Sequence, residues 1–432
     1  MTASADRSVT PSPRHRFGAR VLEGTSFPEL ARAVARTGSD PEGVGIMTRK
    51  ARIFPVALRH VPLKASPLLK QELLAVGADA AHARGVADHS VAESDVVLLA
   101  TWGQYRRLLP KLRRQPFQLR AIADEIDSAL RHYTQRAPRR IEGAHRSFEV
   151  GAHVLVMGVV NVTPDSFSDG GRFLGAEAAV AHARTLVAEG AHLIDVGGES
   201  TRPGASPVDP VEELRRITPV IEALHADGNV PISVDTRHAA TARRAIELGA
   251  DLVNDVTGLV DPALRAVVRE TGAAAIVMHM RGTPETMASQ VRYADLRAEV
   301  FVALGDATAV AEADGIPAAK LLVDPGLGFA KTAPQSLELL AHLGELRSLG
   351  YPVLVGASRK SFLGWALGNA PVDDRLEASV AAAVVAGLQG AHIVRAHDVR
   401  PTVRALALVD ALYRAQVPVT PEETEGWAGG PE

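Results

Sequence analysis

The chain has 432 residues, 46% of them apolar and 22% charged, which is too long for one ordinary core and suits a soluble protein of two domains. It contains no cysteine, which excludes disulfides, thiolate metal sites and cysteine nucleophiles together. The net charge of -3 hides an asymmetry: residues 1–150 carry 24 Lys and Arg against 15 Asp and Glu, whereas residues 151–432 carry 23 against 35.

A basic half can bind nucleic acid, but its charges are scattered and not interleaved with aromatics, so a solvated face is the expectation and no nucleic-acid partner is assigned. No stretch approaches the run of about 18 apolar residues that a membrane helix needs. The first 16 residues carry no apolar run after their charges, unlike a secretory leader. Both features point to the cytoplasm and away from a membrane.

In chain order, residues 1–17 are polar and expected to be a disordered tail. Residues 18–133 mix strands (Arg52–Leu58, Asp95–Thr101) with helices (Phe27–Arg36, Pro67–Val76, Gln104–Arg113, Leu119–Tyr133), which suggests a small α+β domain. Residues 134–150 are charged, lack periodicity and read as a linker. From 151 to 417 the pattern becomes regular. Eight apolar runs recur at 154–162, 192–198, 231–236, 251–258, 274–280, 321–326, 352–358 and 392–398, separated by segments with helical spacing such as VEELRRITPVIEAL. Eight buried strands alternating with helices predict a parallel (β/α)8 TIM barrel, with a doubly wound open sheet as the structural alternative. Residues 418–432 are rich in Pro, Glu and Gly and are expected to be a second disordered tail.

Each run begins apolar and ends polar: Asn161, Asp195, Asp235, Asn254 with Asp255, His279, Asp324, Ser358, and Arg395 with His397. In a barrel the carboxyl ends of all strands converge on one mouth, where such folds place their chemistry.

At these strand ends the sequence resembles the dihydropteroate synthases. NVTPDSFSDGG (161–171) and DVGGESTRPGA (195–205) look like the family's two loop signatures, and SVDT, NDVTG, HMRGTP, DPGLGF, GASRKSF and RAHD follow in the family's order. The resemblance implies that Asp235, Asn254, Asp324 and Lys360 bind a pterin. It implies that Asn161, Arg395 and His397 bind a diphosphate, with Asn161 also a ligand of Mg2+. Loop residues Phe167, Thr201, Arg202 and Pro203, with Ser358, would shape the slot for p-aminobenzoate. The chemistry agrees, since a pterin edge presents N–H donors that call for carboxylates and an amide. Arg forms forked hydrogen bonds to phosphate.

The implied reaction expels diphosphate from the pterin methylene carbon and joins that carbon to the amine of p-aminobenzoate. Asp169, Lys360, Arg395 and His397 would be the catalytic groups, Asp169 stabilising a cation-like state. Neither a Ser–His–acid set nor a Cys nucleophile is apparent, which suits a reaction whose bond changes lie within the substrates. The family's habit implies a homodimer. Two other readings compete. A pterin-dependent methyltransferase would not need Arg395 and His397, and a non-catalytic pterin-binding homologue should have lost some of these residues. Residues 18–133 carry no chemical motif.

Overall fold

The structure is a computed structural model that describes residues 20, 22, 27–135, 137–163, 171–200 and 207–416. The two expected tails lie outside these residues. The chain divides into two compact units, one ending at Asp124 and joined by residues from Arg414 onward, the other spanning Glu125–Tyr413.

The first unit contains α1 (Phe27–Ala35), α2 (Pro41–Thr48), β1 (Ile53–Pro62), α3 (Ala65–Ala75), β2 (Asp79–His82), β3 (Glu93–Thr101), α4 (Trp102–Leu112) and the first part of α5 (Leu119–Thr134). Its three strands form an antiparallel sheet in the order β1-β3-β2. Alternation along β3 buries Ser94, Val96, Leu98 and Ala100 on one face, and Leu69, Leu73, Leu108 and Leu112 of the helices are buried with them. The sequence did not disclose α2 or β2. Asp40 starts α2 by accepting the N–H groups of Glu42 and Gly43, with Pro41 in the first turn. The four residues of β2, DAAH, have no β-branched side chain and are held as a strand by β3.

The second unit opens with a hairpin, β4 (Arg139–Glu142) paired with β5 (Ser147–Val150). This corrects the reading of 134–150 as a linker. Ile141 and Val150 are buried, and they share a cluster with Leu155, Met157, Leu193, Leu252, Ile276, Leu322, Leu354 and Ile393. The hairpin therefore plugs the amino-terminal end of a barrel. Asp251 pins its turn, accepting the backbone N–H groups of His145 (3.1 Å) and Arg146 (2.6 Å).

The barrel strands are β6 (Leu155–Asn161), β7 (Leu193–Gly197), β8 (Ile232–Asp235), β9 (Leu252–Asp255), β10 (Ala274–Met278), β11 (Leu321–Asp324), β12 (Leu354–Gly356) and β13 (Ile393–Ala396). All pair in parallel, and a parallel bridge between Val323 and Val353 closes the ring. The helices between them are α6 (Gly171–Ala188), α7 (Pro210–Asp227), α8 (Ala239–Glu247), α9 (Pro262–Thr271), α10 (Leu296–Ala313), α11 (Ala333–Ala341), α12 (Ser361–Ala366) and α13 (Leu376–Leu388), and α14 (Val399–Gln416) follows the last strand. The open-sheet alternative is thereby excluded.

The strand period of two divides each strand cleanly. Val156, Val160, Ile194, Val196, Val234, Val253, Val277, Val323, Val355 and Val394 belong to the outer core against the helices. The opposite parity fills the barrel interior, and its last inward positions hold the polar groups.

Candidate active site

Counting inward positions from the plugged end reaches Asn161 on β6, Asp195 and Gly197 on β7, Asp235 on β8, Asn254 on β9 and Asp324 on β11. On the remaining three strands it reaches Met278 on β10, Gly356 and then Ser358 just beyond β12, and Arg395 on β13 followed by His397. Lys360 stands two residues past Ser358, where α12 begins. The carboxyl ends thus gather a set of acids, amides and cations at one mouth.

Arg395 is the hub. Its Nε donates to Asp195 Oδ2 at 2.6 Å, and its Nη2 donates to Asp235 Oδ2 at 2.9 Å. Asn254 donates its amide Nδ2 to the same Asp195 oxygen at 3.1 Å. Burial works against the Arg395 charge, yet the two carboxylates together outweigh it and hold the guanidinium above its ordinary value. Asp235 moves the other way from a simple salt-bridged acid. Burial first, then the Asp195 charge, push it up to about 7 against the pull of Arg395. One guanidinium cannot neutralise two carboxylates, so one of the pair holds its proton readily.

Asp324 is buried, and its Oδ1 accepts the N–H of Gly326 at 2.7 Å. Burial raises its pKa, and the Lys360 ammonium opposes that rise. Lys360 donates to the carbonyl of Leu327 at 2.5 Å and stands 4.6 Å from the centre of the Phe329 ring. Burial brings it down to about 8, partly offset by Asp324. Gly326 must be glycine: its φ is +65°, and a Cβ there would stand 2.1 Å from the His279 carbonyl oxygen. That turn is what brings the Leu327 carbonyl and the Phe329 ring back to Lys360.

His397, on the same strand face as Arg395, meets Ser358. Its backbone N–H donates to Ser358 Oγ at 3.1 Å, and its Nδ1 lies 3.1 Å from the same hydroxyl. Arg395 reaches the acids of β7 and β8. Beside them, Arg359 makes a forked pair with Asp398 at 2.6 and 3.0 Å. Asn161 ends β6 half-buried. Phe167, Asp169, Thr201, Arg202 and Pro203 lie outside the described residues.

Asp195 is the residue that sequence reasoning passed over. It was visible as a polar strand end, but no role was assigned to it. The structure makes it fully buried and shared by Arg395 and Asn254, with its Oδ1 lacking a hydrogen-bond partner among the described residues. A buried carboxylate oxygen without a donor is costly, and a ligand N–H entering the mouth would relieve it. Strand parity was the available signal, because Asp195 shares a face with Leu193 and Gly197. The arrangement as a whole can receive a flat, donor-rich heterocycle among carboxylates and an amide, with cations at one side for an anionic group.

Comparison with known proteins agrees with this chemistry. Residues 157–397 match the pterin binding enzyme family. The dihydropteroate synthase of Escherichia coli is 46% identical over 265 residues, which is 61% of this chain and 94% of that protein. A probable bifunctional folylpolyglutamate synthase/dihydropteroate synthase of Haloferax volcanii is 42% identical over 357 residues, 80% of this chain and 42% of that one. This chain therefore spans less than half the length of that relative, and the match is longer than the barrel unit. Among solved structures, the Xanthomonas albilineans dihydropteroate synthase with 4-aminobenzoic acid has a TM-score of 0.61 at 44% identity, covering 65% of this chain and all of that one. The Burkholderia cenocepacia enzyme complexed with 7,8-dihydropteroate has a TM-score of 0.59 at 40% identity, covering 64% of this chain and 98% of that one. On its sequence and its barrel alike, the chain belongs to the dihydropteroate synthase family of pterin binding enzymes.

Proposed function

We propose that the barrel unit condenses 6-hydroxymethyl-7,8-dihydropterin diphosphate with p-aminobenzoate, giving 7,8-dihydropteroate and diphosphate in folate biosynthesis. The observation that carries this reading is the meeting of Asp235, Asn254 and Asp324 with Arg395 at one barrel mouth. The acids and the amide would take the donors of the pterin edge, and Lys360 beside Asp324 would take an acceptor. A partner lacking those donors would leave buried carboxylates unsatisfied, at roughly 1–3 kcal/mol each. The C–O bond from the pterin methylene to the diphosphate breaks with its electron pair going to the diphosphate, and the C–N bond to the p-aminobenzoate amine forms as the amine loses a proton to solvent. Arg395 and His397 would stabilise the negative charge that develops on the departing diphosphate, while Asp169 would face the positive charge left on the pterin. Fixed charges aimed at developing charge commonly supply the largest share of catalysis. Phe167, Thr201, Arg202 and Pro203, with Ser358, are assigned to the p-aminobenzoate slot.

Mg2+ fits this scheme as a companion of the diphosphate. Among the described residues no group of three or more His, Cys, Asp or Glu could hold a metal ion. The amide oxygen of Asn161 is a suitable single ligand for a hard cation that keeps its waters and shares phosphate oxygens. Bound there, Mg2+ would add positive charge beside the leaving group. A homodimer and a cytoplasmic location belong to the same proposal. Among the described residues no helix is long and apolar enough to cross a membrane.

The test is to mix the full chain with p-aminobenzoate, the pterin diphosphate and Mg2+, and to follow diphosphate release and pteroate formation together. Release that requires both substrates is expected. No diphosphate release in that mixture, together with methyl transfer from a separately supplied 5-methyl-tetrahydropterin, would replace this reading by the methyltransferase one.

A further inference from the structure

Lys331 is a buried cation that the scheme above does not use. It lies between Ala330 and the start of α11, in the loop that follows β11, and its residue is only 8% exposed. An ammonium without partners there would be costly, and burial brings it down to about 7 against the pull of Asp324. Nζ lies 2.8 Å from His279 Nδ1, 2.9 Å from the Phe329 carbonyl, 3.1 Å from the Gly326 carbonyl and 3.3 Å from the His279 carbonyl. His279 is itself buried and held neutral, pushed down to about 3 by burial and then by the Lys331 charge. Its Nδ1 therefore offers a lone pair, and its own proton sits on Nε2.

These contacts join two loops. His279 opens the loop after β10, while Gly326 and Phe329 form the turn after β11. The second turn is the one whose Leu327 carbonyl accepts from Lys360, whose Phe329 ring lies under Lys360, and whose Gly326 N–H holds Asp324. A second lacing lies nearby: Tyr293 donates to the Ala330 carbonyl at 3.0 Å, and Gln335 donates to the Val291 carbonyl at 2.9 Å.

We propose that Lys331 is a positioning residue for the pterin subsite: anchored on His279, it fixes the Gly326–Phe329 turn and thereby sets Lys360 and Asp324 toward their ligand. The proposal rests on the functional reading above and adds a residue to it. Lys331 touches no reacting atom. Its effect should fall on pterin affinity and leave p-aminobenzoate recognition alone.

The experiment uses the full chain, with 6-hydroxymethyl-7,8-dihydropterin as the calorimetric probe and steady-state KM for p-aminobenzoate as the control. Lys331→Met is expected to weaken pterin binding about tenfold, the equivalent of one lost charged hydrogen-bond set. The p-aminobenzoate KM should stay within about twofold, because that slot is assigned to other elements. His279→Gln keeps the three carbonyl partners and is expected to weaken pterin binding about threefold in the same direction. It decides the matter alone if Lys331→Met does not fold. Pterin affinity within twofold of wild type in a cooperatively melting variant would overturn the proposal, and so would equal losses for both substrates. A wild-type chain that binds no pterin would overturn the functional reading and this proposal with it. A wild type that binds pterin beside an indifferent Lys331 variant would overturn this proposal alone.

Discussion

Arg395 serves two buried acids at once, and that ratio sets the electrostatics of the mouth. Asp195 and Asp235 each contact it, and their side chains are 0% and 10% exposed. Burial first, and then the Asp195 charge, lift Asp235 to about 7 from its ordinary 3.8. A raised carboxyl binds its proton more tightly in the folded chain than in the unfolded one. Its contribution to stability is therefore full below about 3.8 and is lost as pH rises through about 7. Asp235→Asn has no charge to gain, so the melting temperature of the variant relative to wild type should be most favourable above pH 7 and should decline toward pH 4. A difference that stays flat across that window would show that Asp235 titrates like an exposed acid. The same substitution should weaken pterin binding by roughly tenfold, because the amide supplies one acceptor and an unwanted donor where two acceptors stood. Unchanged affinity by calorimetry would remove Asp235 from the pterin contacts.

At the level of elements, the hairpin of β4 and β5 carries more weight than its sequence suggested. Ile141 is 2% exposed and belongs to the cluster that fills the floor of the barrel. Ile141→Ala should destabilise the barrel by about 2–4 kcal/mol, the range for a large core side chain whose cavity cannot collapse. Urea unfolding would measure it, and a loss under about 0.5 kcal/mol is what a surface linker would give. The contrast explains what could be read in advance. The eight barrel strands were legible because each is buried on both faces, which writes an apolar run, and each ends at the mouth, which writes a polar residue after it. The hairpin was not legible because RRIE and SFEV are short and bury few positions, and the acid that anchors their turn, Asp251, lies about a hundred residues away. The polar residues gathered at the mouth, such as Asp235, Asn254, Asp324 and Arg395, were legible for the same reason as the strands, since they sit at inward strand ends. Asp195 needed the parity of β7 to be counted and its partner on β13 to be known. Lys331 lies in a loop, and its burial and its four acceptors, neither visible in the sequence, distinguish it from an ordinary surface lysine.

For the molecule as a whole, the question is where the catalytic unit starts. The division between the units falls inside α5, so the second half of that helix belongs to the barrel unit. The Arg347 guanidinium stands 5.3 Å from the centre of the Tyr133 ring and donates to the Gln135 carbonyl at 3.4 Å. Arg139 of the hairpin donates to the Gly350 carbonyl, and Asp251 fastens the hairpin turn. A chain beginning at Leu119 keeps all of these contacts, whereas a chain beginning at Gly151 loses them together with Ile141 and Val150. The longer truncate should melt cooperatively and release diphosphate within about threefold of the full chain, as expected of a domain with its own core. The shorter one should melt roughly 10 °C lower, from a loss of about 3–5 kcal/mol in a domain of this size. If the Leu119 truncate instead folds fully but loses more than about tenfold in diphosphate release, the first unit must supply something to the reaction itself. The apolar floor and the polar mouth would then not suffice for turnover.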